Sequence, residues 1–66
     1  MTPKIGEHEK KLFKDMKQRI DDIERLTLEL KHLGEGMPVV EKNARSILSF
    51  TNALRFGVSD LAELIN

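Results

Sequence analysis

Between two long amphipathic segments lies the stretch LGEGMP, residues 33–38, which decides how the chain folds. Gly34 suits the left-handed backbone conformation that commonly ends a helix. Pro38 suits the first turn of a following helix, where its missing N–H is not needed. Because short connections join antiparallel neighbours, the sequence predicts a turn at 34–37 within a helical hairpin.

The segment before this turn carries apolar residues three and four positions apart, on the two seam positions of one heptad frame. These seam residues are Ile5, Leu12, Met16, Ile23, Leu26, Leu30 and Leu33. Only Glu9 and Arg19 interrupt the seam, while Phe13 and Ile20 lie one position beyond it and widen the apolar stripe. The pattern predicts an amphipathic first helix over about residues 3–33.

The segment after the turn keeps one heptad frame without a slip. Its frame positions are Val40, Ala44, Ile47, Thr51, Leu54, Val58, Leu61 and Ile65, and only Thr51 is polar. A helix end at Gly57, followed by a new capping box from Asp60 to Glu63, is the alternative interpretation. Since the frame crosses Gly57 in phase, we expect one continuous second helix over about residues 38–65.

Length and composition bear on how such a hairpin becomes stable. A chain of 66 residues forms one domain, residues 1–66, and leaves a large fraction of its surface in water. It contains no cysteine, so neither a disulfide nor a thiolate zinc site can stabilise the fold. Eleven basic and eleven acidic residues balance, and no apolar run approaches the length of a membrane span. We therefore expect a cytoplasmic protein that associates with copies of itself.

A second apolar lane on the second helix indicates where that association takes place. The lane residues are Val39, Ser46, Phe50, Ala53, Gly57 and Leu64. A hairpin partner covers only one stripe, so another chain must cover this lane, and its small residues would allow a close approach. The sequence predicts a homodimeric four-helix bundle. The alternative is a broad surface that happens to carry a few small residues.

The polar interruptions of the two seams coincide in the predicted hairpin. If the turn centres between Glu35 and Gly36, Arg19 lies level with Thr51 and Asn52. A buried polar layer of this kind penalises misaligned pairings and so specifies register and oligomeric state. An anion-binding or catalytic role for the arginine is the less favoured interpretation.

Residues with chemical potential are few. Glu29 and His32 have the Glu-x-x-His spacing of carboxylate-bridged metal bundles, and Glu41 lies at nearly the same level. All three are weak candidate ligands, because charged helix ends often produce such pairs. The Gly-x-Gly fragment at 34–36 follows no strand and precedes no lysine of a phosphate loop. We expect no enzyme and no cofactor.

Three lysines, Lys10, Lys14 and Lys17, cluster on the outer surface of the first helix. Aspartates interleave with them, and the chain has no tyrosine or tryptophan for base stacking. The favoured function is therefore a non-catalytic interaction or regulatory module that binds itself and, through a helix face, another protein. A small RNA-binding hairpin dimer using these lysines and a metal-carboxylate bundle are the alternatives, and nucleic acid is the disfavoured partner.

Overall fold

The computed structural model describes the backbone of residues 6–64 and the side chains of residues 6–63. It contains two α-helices of 27 residues each, α1 (Glu7–Leu33) and α2 (Pro38–Leu64). The two helices pack side by side as a hairpin 54 Å long, 16 Å wide and 9 Å thick, measured on Cα atoms. The prediction of an all-helical hairpin is confirmed.

The described part of α1 begins after a glycine. Gly6 is extended, with φ −77° and ψ 173°, and its carbonyl accepts a hydrogen bond of 3.1 Å from the N–H of Lys10. Glu7 and Glu9 place negative charge in the first turn, where it offsets the positive end of the helix dipole. The helix start that the sequence predicted near residue 3 lies outside the described residues.

The turn uses its glycines differently from the prediction. Gly34 has φ −90° and ψ 17°, so it is not left-handed, and its N–H donates to the carbonyl of Leu30 at 2.9 Å. Gly36, with φ 88°, takes the left-handed conformation. A Cβ at position 34 would overlap Val40 Cγ1 and lie 2.7 Å from Val40 Cβ. Gly34 is therefore required by the close approach of α2 to the end of α1.

The second helix runs without interruption through Gly57. Pro38 occupies its first position, and the carbonyl of Met37 accepts a hydrogen bond of 3.0 Å from the N–H of Glu41. A Cβ built at Gly57 meets nothing within 4 Å. The alternative of a helix break at Gly57 is therefore wrong.

One line of residues on each helix forms the contact between them. On α1 and at its C-terminal cap these are Ile20, Thr27 and Gly34, and on α2 they are Ala44, Thr51 and Val58. Members of each line are seven residues apart and so repeat on the same side of their helix. We call these six residues the hairpin interface. Most of them are small, which lets the helices approach closely, but they form only a thin core.

The predicted seam of the first helix is not the line that is buried against α2. Its four leucines and Ile23 remain exposed, from 41 % at Ile23 to 81 % at Leu33. The buried line lies beside this seam and contains Ile20, which we had assigned to the margin of the stripe. A single helix covers only one edge of a wide stripe, and here it covers the edge with the smaller side chains. No helix in the described residues is long and apolar enough to cross a membrane.

Candidate functional site

The hairpin has two unlike faces, one on each side of the hairpin interface. On the first, Arg55 of α2 reaches across to α1, with Nη2 2.6 Å from Glu24 Oε2 and 3.0 Å from Asp21 Oδ1. The hydrogen bond to Glu24, followed by that to Asp21, raises the pKa of Arg55 above its ordinary value. We call this side the polar face. On this face, the charged side chains of Arg55, Glu24 and Asp21 cover the hairpin interface.

The opposite side is open and apolar. There Met16 and Arg19 of α1 and Leu54 of α2 border one groove of about 310 Å³, with Ile20 and Val58 at its base. Residues seven positions away from Met16 and Leu54 share their sides of the two helices. The resulting surface, which we call the apolar face, consists of Met16, Ile23, Leu30, Ile47, Leu54 and Leu61. From Ile23 onward, these side chains are 39–53 % exposed.

Further apolar side chains extend this surface at its edges. On α1 they are Leu12, Leu26 and Leu33, and on α2 the most exposed is Phe50 at 72 %. A groove of about 710 Å³ on α2 is bordered by Phe50, Ala53 and Gly57 together with three residues of the seam, Leu54, Val58 and Leu61. The apolar face therefore continues from the seam of α2 into the lane that the sequence singled out.

The predicted oligomer interface is solvent-exposed in the single chain. Val39 is 71 % exposed, and Ser46, Ala53 and Gly57 are exposed as well. The side chain of Leu64 lies outside the described residues. The sequence interpretation identified this lane but missed the larger surface on α1, because it assigned the α1 seam to the hairpin contact. The feature that could have identified the buried line is the pair of small residues Thr27 and Gly34, which lie seven and fourteen positions after Ile20.

The extent of the exposed surface is large for a chain of this size. The hairpin exposes 5531 Å². A folded monomer of 7.6 kDa exposes about 4,300 Å², so the hairpin has about 1,200 Å² more than a compact protein of its mass. Contiguous apolar patches beyond a few hundred Å² mark interaction sites in soluble proteins. The apolar face is the candidate functional site.

The predicted polar register layer is not assembled in the hairpin. Arg19 has a side chain that is 75 % exposed, and it lies 3.7 Å from Asp22 on its own helix. Asn52 is also exposed and accepts a hydrogen bond of 3.3 Å from Arg55. Only Thr51 is buried, at 2 %. Arg19 and Asn52 are exposed in the single hairpin, so of the predicted layer only Thr51 lies between its two helices.

The polar residues that are buried satisfy themselves locally. Thr51 Oγ1 donates to the carbonyl of Ile47 at 2.7 Å, and Thr27 Oγ1 donates to the carbonyl of Ile23 at 2.6 Å. No buried side-chain polar atom in the described part of the chain lacks a hydrogen-bond partner. Neither threonine therefore requires a polar group from the other helix.

The weak metal candidates do not converge. Glu29 lies 3.4 Å from Arg25 on its own helix. His32 and Glu41 border a shallow groove beside the turn, where Glu41 Oε1 accepts a hydrogen bond of 3.4 Å from the N–H of Gly36. Within residues 6–63, no group of three or more histidine, cysteine or acidic side chains is arranged to hold a metal ion.

The three candidate lysines do come together. Lys10, Lys14 and Lys17 border one groove of about 410 Å³ at the open end of the hairpin, with Phe13 and Ala62 among its other lining residues. Lys10 lies 3.9 Å from Glu7, so part of the positive charge is offset. The groove combines cationic and aromatic surface on the polar face, away from the apolar face.

No protein-family model matches the sequence, and no significant match was found among curated proteins or solved structures.

Proposed function

We propose that the chain is a non-catalytic helical-hairpin module that associates with itself through the apolar face to form a homodimeric four-helix bundle. In this role it serves as an interaction or regulatory module for another protein, in the cytoplasm. The observation that carries the proposal is the open apolar face, which runs the length of both helices and is opposed by a face closed with ion pairs.

The area available for such an interface supports a permanent dimer. Two separate hairpins expose about 11,000 Å², since each exposes 5531 Å², whereas a compact protein of their combined mass exposes about 7,100 Å². Dimerisation therefore has about 3,900 Å² to remove from water, within the range of roughly 2,000–5,000 Å² that obligate homodimers bury. Because the hairpin interface is a thin line of small residues, the second copy supplies most of the hydrophobic core.

The experiment that tests the proposal is a measurement of molar mass by light scattering over a concentration series. We expect twice the mass of the chain at micromolar concentration, with folding and dimerisation lost together on dilution, because an obligate dimer has no stable monomer. A well-folded monomer at high micromolar concentration would contradict the proposal.

A second candidate function rests on the lysine groove. The placement of Lys10, Lys14 and Lys17 around Phe13 supports binding of RNA, whose phosphates attract lysines and whose bases stack on aromatic rings. Binding of a labelled RNA stem-loop that weakens steeply with salt, and that is lost in a K10E/K14E/K17E variant, would support this function. Binding that the triple substitution leaves unchanged would exclude the groove.

A further inference from the structure

The homodimer proposed above can be built in two orientations, and the charges beside the apolar face distinguish them. The middle of α1 is Ile20 and the middle of α2 is Thr51, and both are buried in the hairpin interface. Because the helices are antiparallel and equal in length, these two residues lie at the same level, which we call the centre.

Two hairpins that meet through their apolar faces have their turns at the same end or at opposite ends. With the turns at the same end, α1 of each copy lies beside α2 of the other. With the turns at opposite ends, α1 lies beside α1 and α2 beside α2.

The charge of Arg19 distinguishes these two orientations. Its guanidinium stands beside the apolar face at the level of the centre, 75 % exposed and 3.7 Å from Asp22. With the turns at the same end, it would face the middle of the partner's α2, where residues 42–59 contain no acidic side chain but do contain Lys42 and Arg45. With the turns at opposite ends, α1 of one copy lies beside α1 of the other, and Arg19 of each lies near Asp22 of its partner.

We propose that the dimer has its turns at opposite ends, with a two-fold axis at the level of Ile20 and Thr51. In this arrangement α1 packs beside the partner's α1, and α2 beside the partner's α2. Arg19 and Asp22 form two reciprocal ion pairs near the axis, so each copy completes the interface of the other.

The distance between the two turns tests this inference directly. The chain has no cysteine, and Glu35 is an exposed residue of the turn, so a Glu35→Cys variant carries one spin label per chain. From the centre to the turn is about 23 Å at 1.5 Å per residue, so labels at opposite ends lie about 45 Å apart. Pulsed dipolar spectroscopy showing that distance would support the inference. A main distance below about 25 Å would overturn it while leaving the dimer intact.

The dimer itself is checked on the same sample by light scattering. A labelled chain that is monomeric and gives no dipolar signal would overturn both the proposed function and the orientation. The two failures are thus distinguishable, because a short distance in a dimer rejects only the orientation.

A charge exchange between copies provides a second, independent test. Each contact joins residue 19 of one copy to residue 22 of the other. In an Arg19→Asp homodimer both of these residues are carboxylates, and in an Asp22→Arg homodimer both are guanidiniums. Mixing the two variants lets every such contact become an ion pair, so we expect the heterodimer to be enriched about fivefold over the statistical mixture. Native mass spectrometry after subunit exchange measures this ratio. A statistical mixture would count against adjacent α1 helices, since repulsion within each chain cancels when one homodimer of each kind is exchanged into two heterodimers.

Discussion

Gly34 packs directly against Val40, so that the turn leaves no room for a side chain at position 34. A Gly34→Ala variant must displace Val40, which begins the apolar frame of α2, and we expect it to lose about 2 kcal/mol of unfolding free energy. The measurement is urea unfolding at one fixed protein concentration. This contact explains why glycine ends α1 although its backbone is not left-handed there.

The matched control is Gly36, where nothing lies within 4 Å of a Cβ but φ is 88°. Gly36→Ala should cost about 1–2 kcal/mol for conformational reasons alone. Adding Val40→Ala removes the overlap with Cγ1, although the Cβ of residue 40 still lies 2.7 Å from the new Cβ. It should therefore restore part of the loss in Gly34→Ala and none in Gly36→Ala. Equal behaviour of the two double variants would show that the contact with Val40 does not explain Gly34.

Leu54 lies at the centre of the apolar face and is 53 % exposed in the single hairpin. In a Leu54→Glu variant, dimerisation would bury an unpaired carboxylate in each copy, at a cost of several kcal/mol. We expect the dissociation constant of the dimer, measured by sedimentation equilibrium, to be at least about 100-fold larger. We also expect loss of helicity at low protein concentration.

Phe56 provides the control for this prediction. It is more exposed than Leu54, at 70 %, and lies two residues further on, about 200° around α2 and away from the apolar face. Phe56→Glu should leave the mass of the dimer unchanged. If Phe56→Glu dissociated the protein and Leu54→Glu did not, association would use the outer surface of α2 instead.

The helix limits around the turn were predictable from the sequence because they depend on local chemistry. A proline can begin a helix but cannot continue one, and two glycines within three residues interrupt any helical pattern. These effects need no knowledge of distant residues. The roles of Gly34 and Gly36 were not predictable in the same way, since the requirement at Gly34 comes from the packing of Val40.

The side of α1 that meets α2 could not be predicted from periodicity. The apolar stripe of α1 is wide, with Phe13 and Ile20 at one edge and Leu12 and Leu26 at the other. A heptad pattern predicts that a stripe packs against other helices, but not which neighbour covers each line. The larger side chains, which we expected between the two helices, face outward and form most of the candidate site.

Arg55 joins the helices across the polar face, with contacts of 2.6 Å to Glu24 and 3.0 Å to Asp21. We expect Arg55→Gln to lower the melting temperature, and the decrease to shrink in 1 M NaCl because salt screens exposed ion pairs. Arg45→Gln, at an exposed position on the same helix, is the control and should have little effect. A decrease that is independent of salt would point to lost packing of the side chain.

The pH dependence of the stability that Arg55 contributes follows from the direction in which folding shifts its pKa. Folding raises the pKa of Arg55, so the stabilisation is present below the unfolded pKa and is lost only as the pH rises through the higher folded value. Both values lie far above neutrality. The difference in melting temperature between the native protein and Arg55→Gln should therefore be constant from about pH 6 to pH 9. A difference that disappears within this range would contradict the assignment to Arg55.

A substitution at Thr51 tests whether a polar residue at the centre of the hairpin specifies the oligomeric state. It is only 2 % exposed, and its hydroxyl donates within its own helix, to the carbonyl of Ile47 at 2.7 Å. Thr51→Val removes that hydroxyl while keeping the branched shape, and the carbonyl keeps its helical hydrogen bond. We expect a change of less than about 1 kcal/mol in unfolding free energy and the same dimer mass. A mixture of oligomers, seen by analytical ultracentrifugation, would show instead that the hydroxyl specifies the assembly. In that case the partner copy must approach Thr51 closely enough to form a hydrogen bond that the single hairpin does not contain.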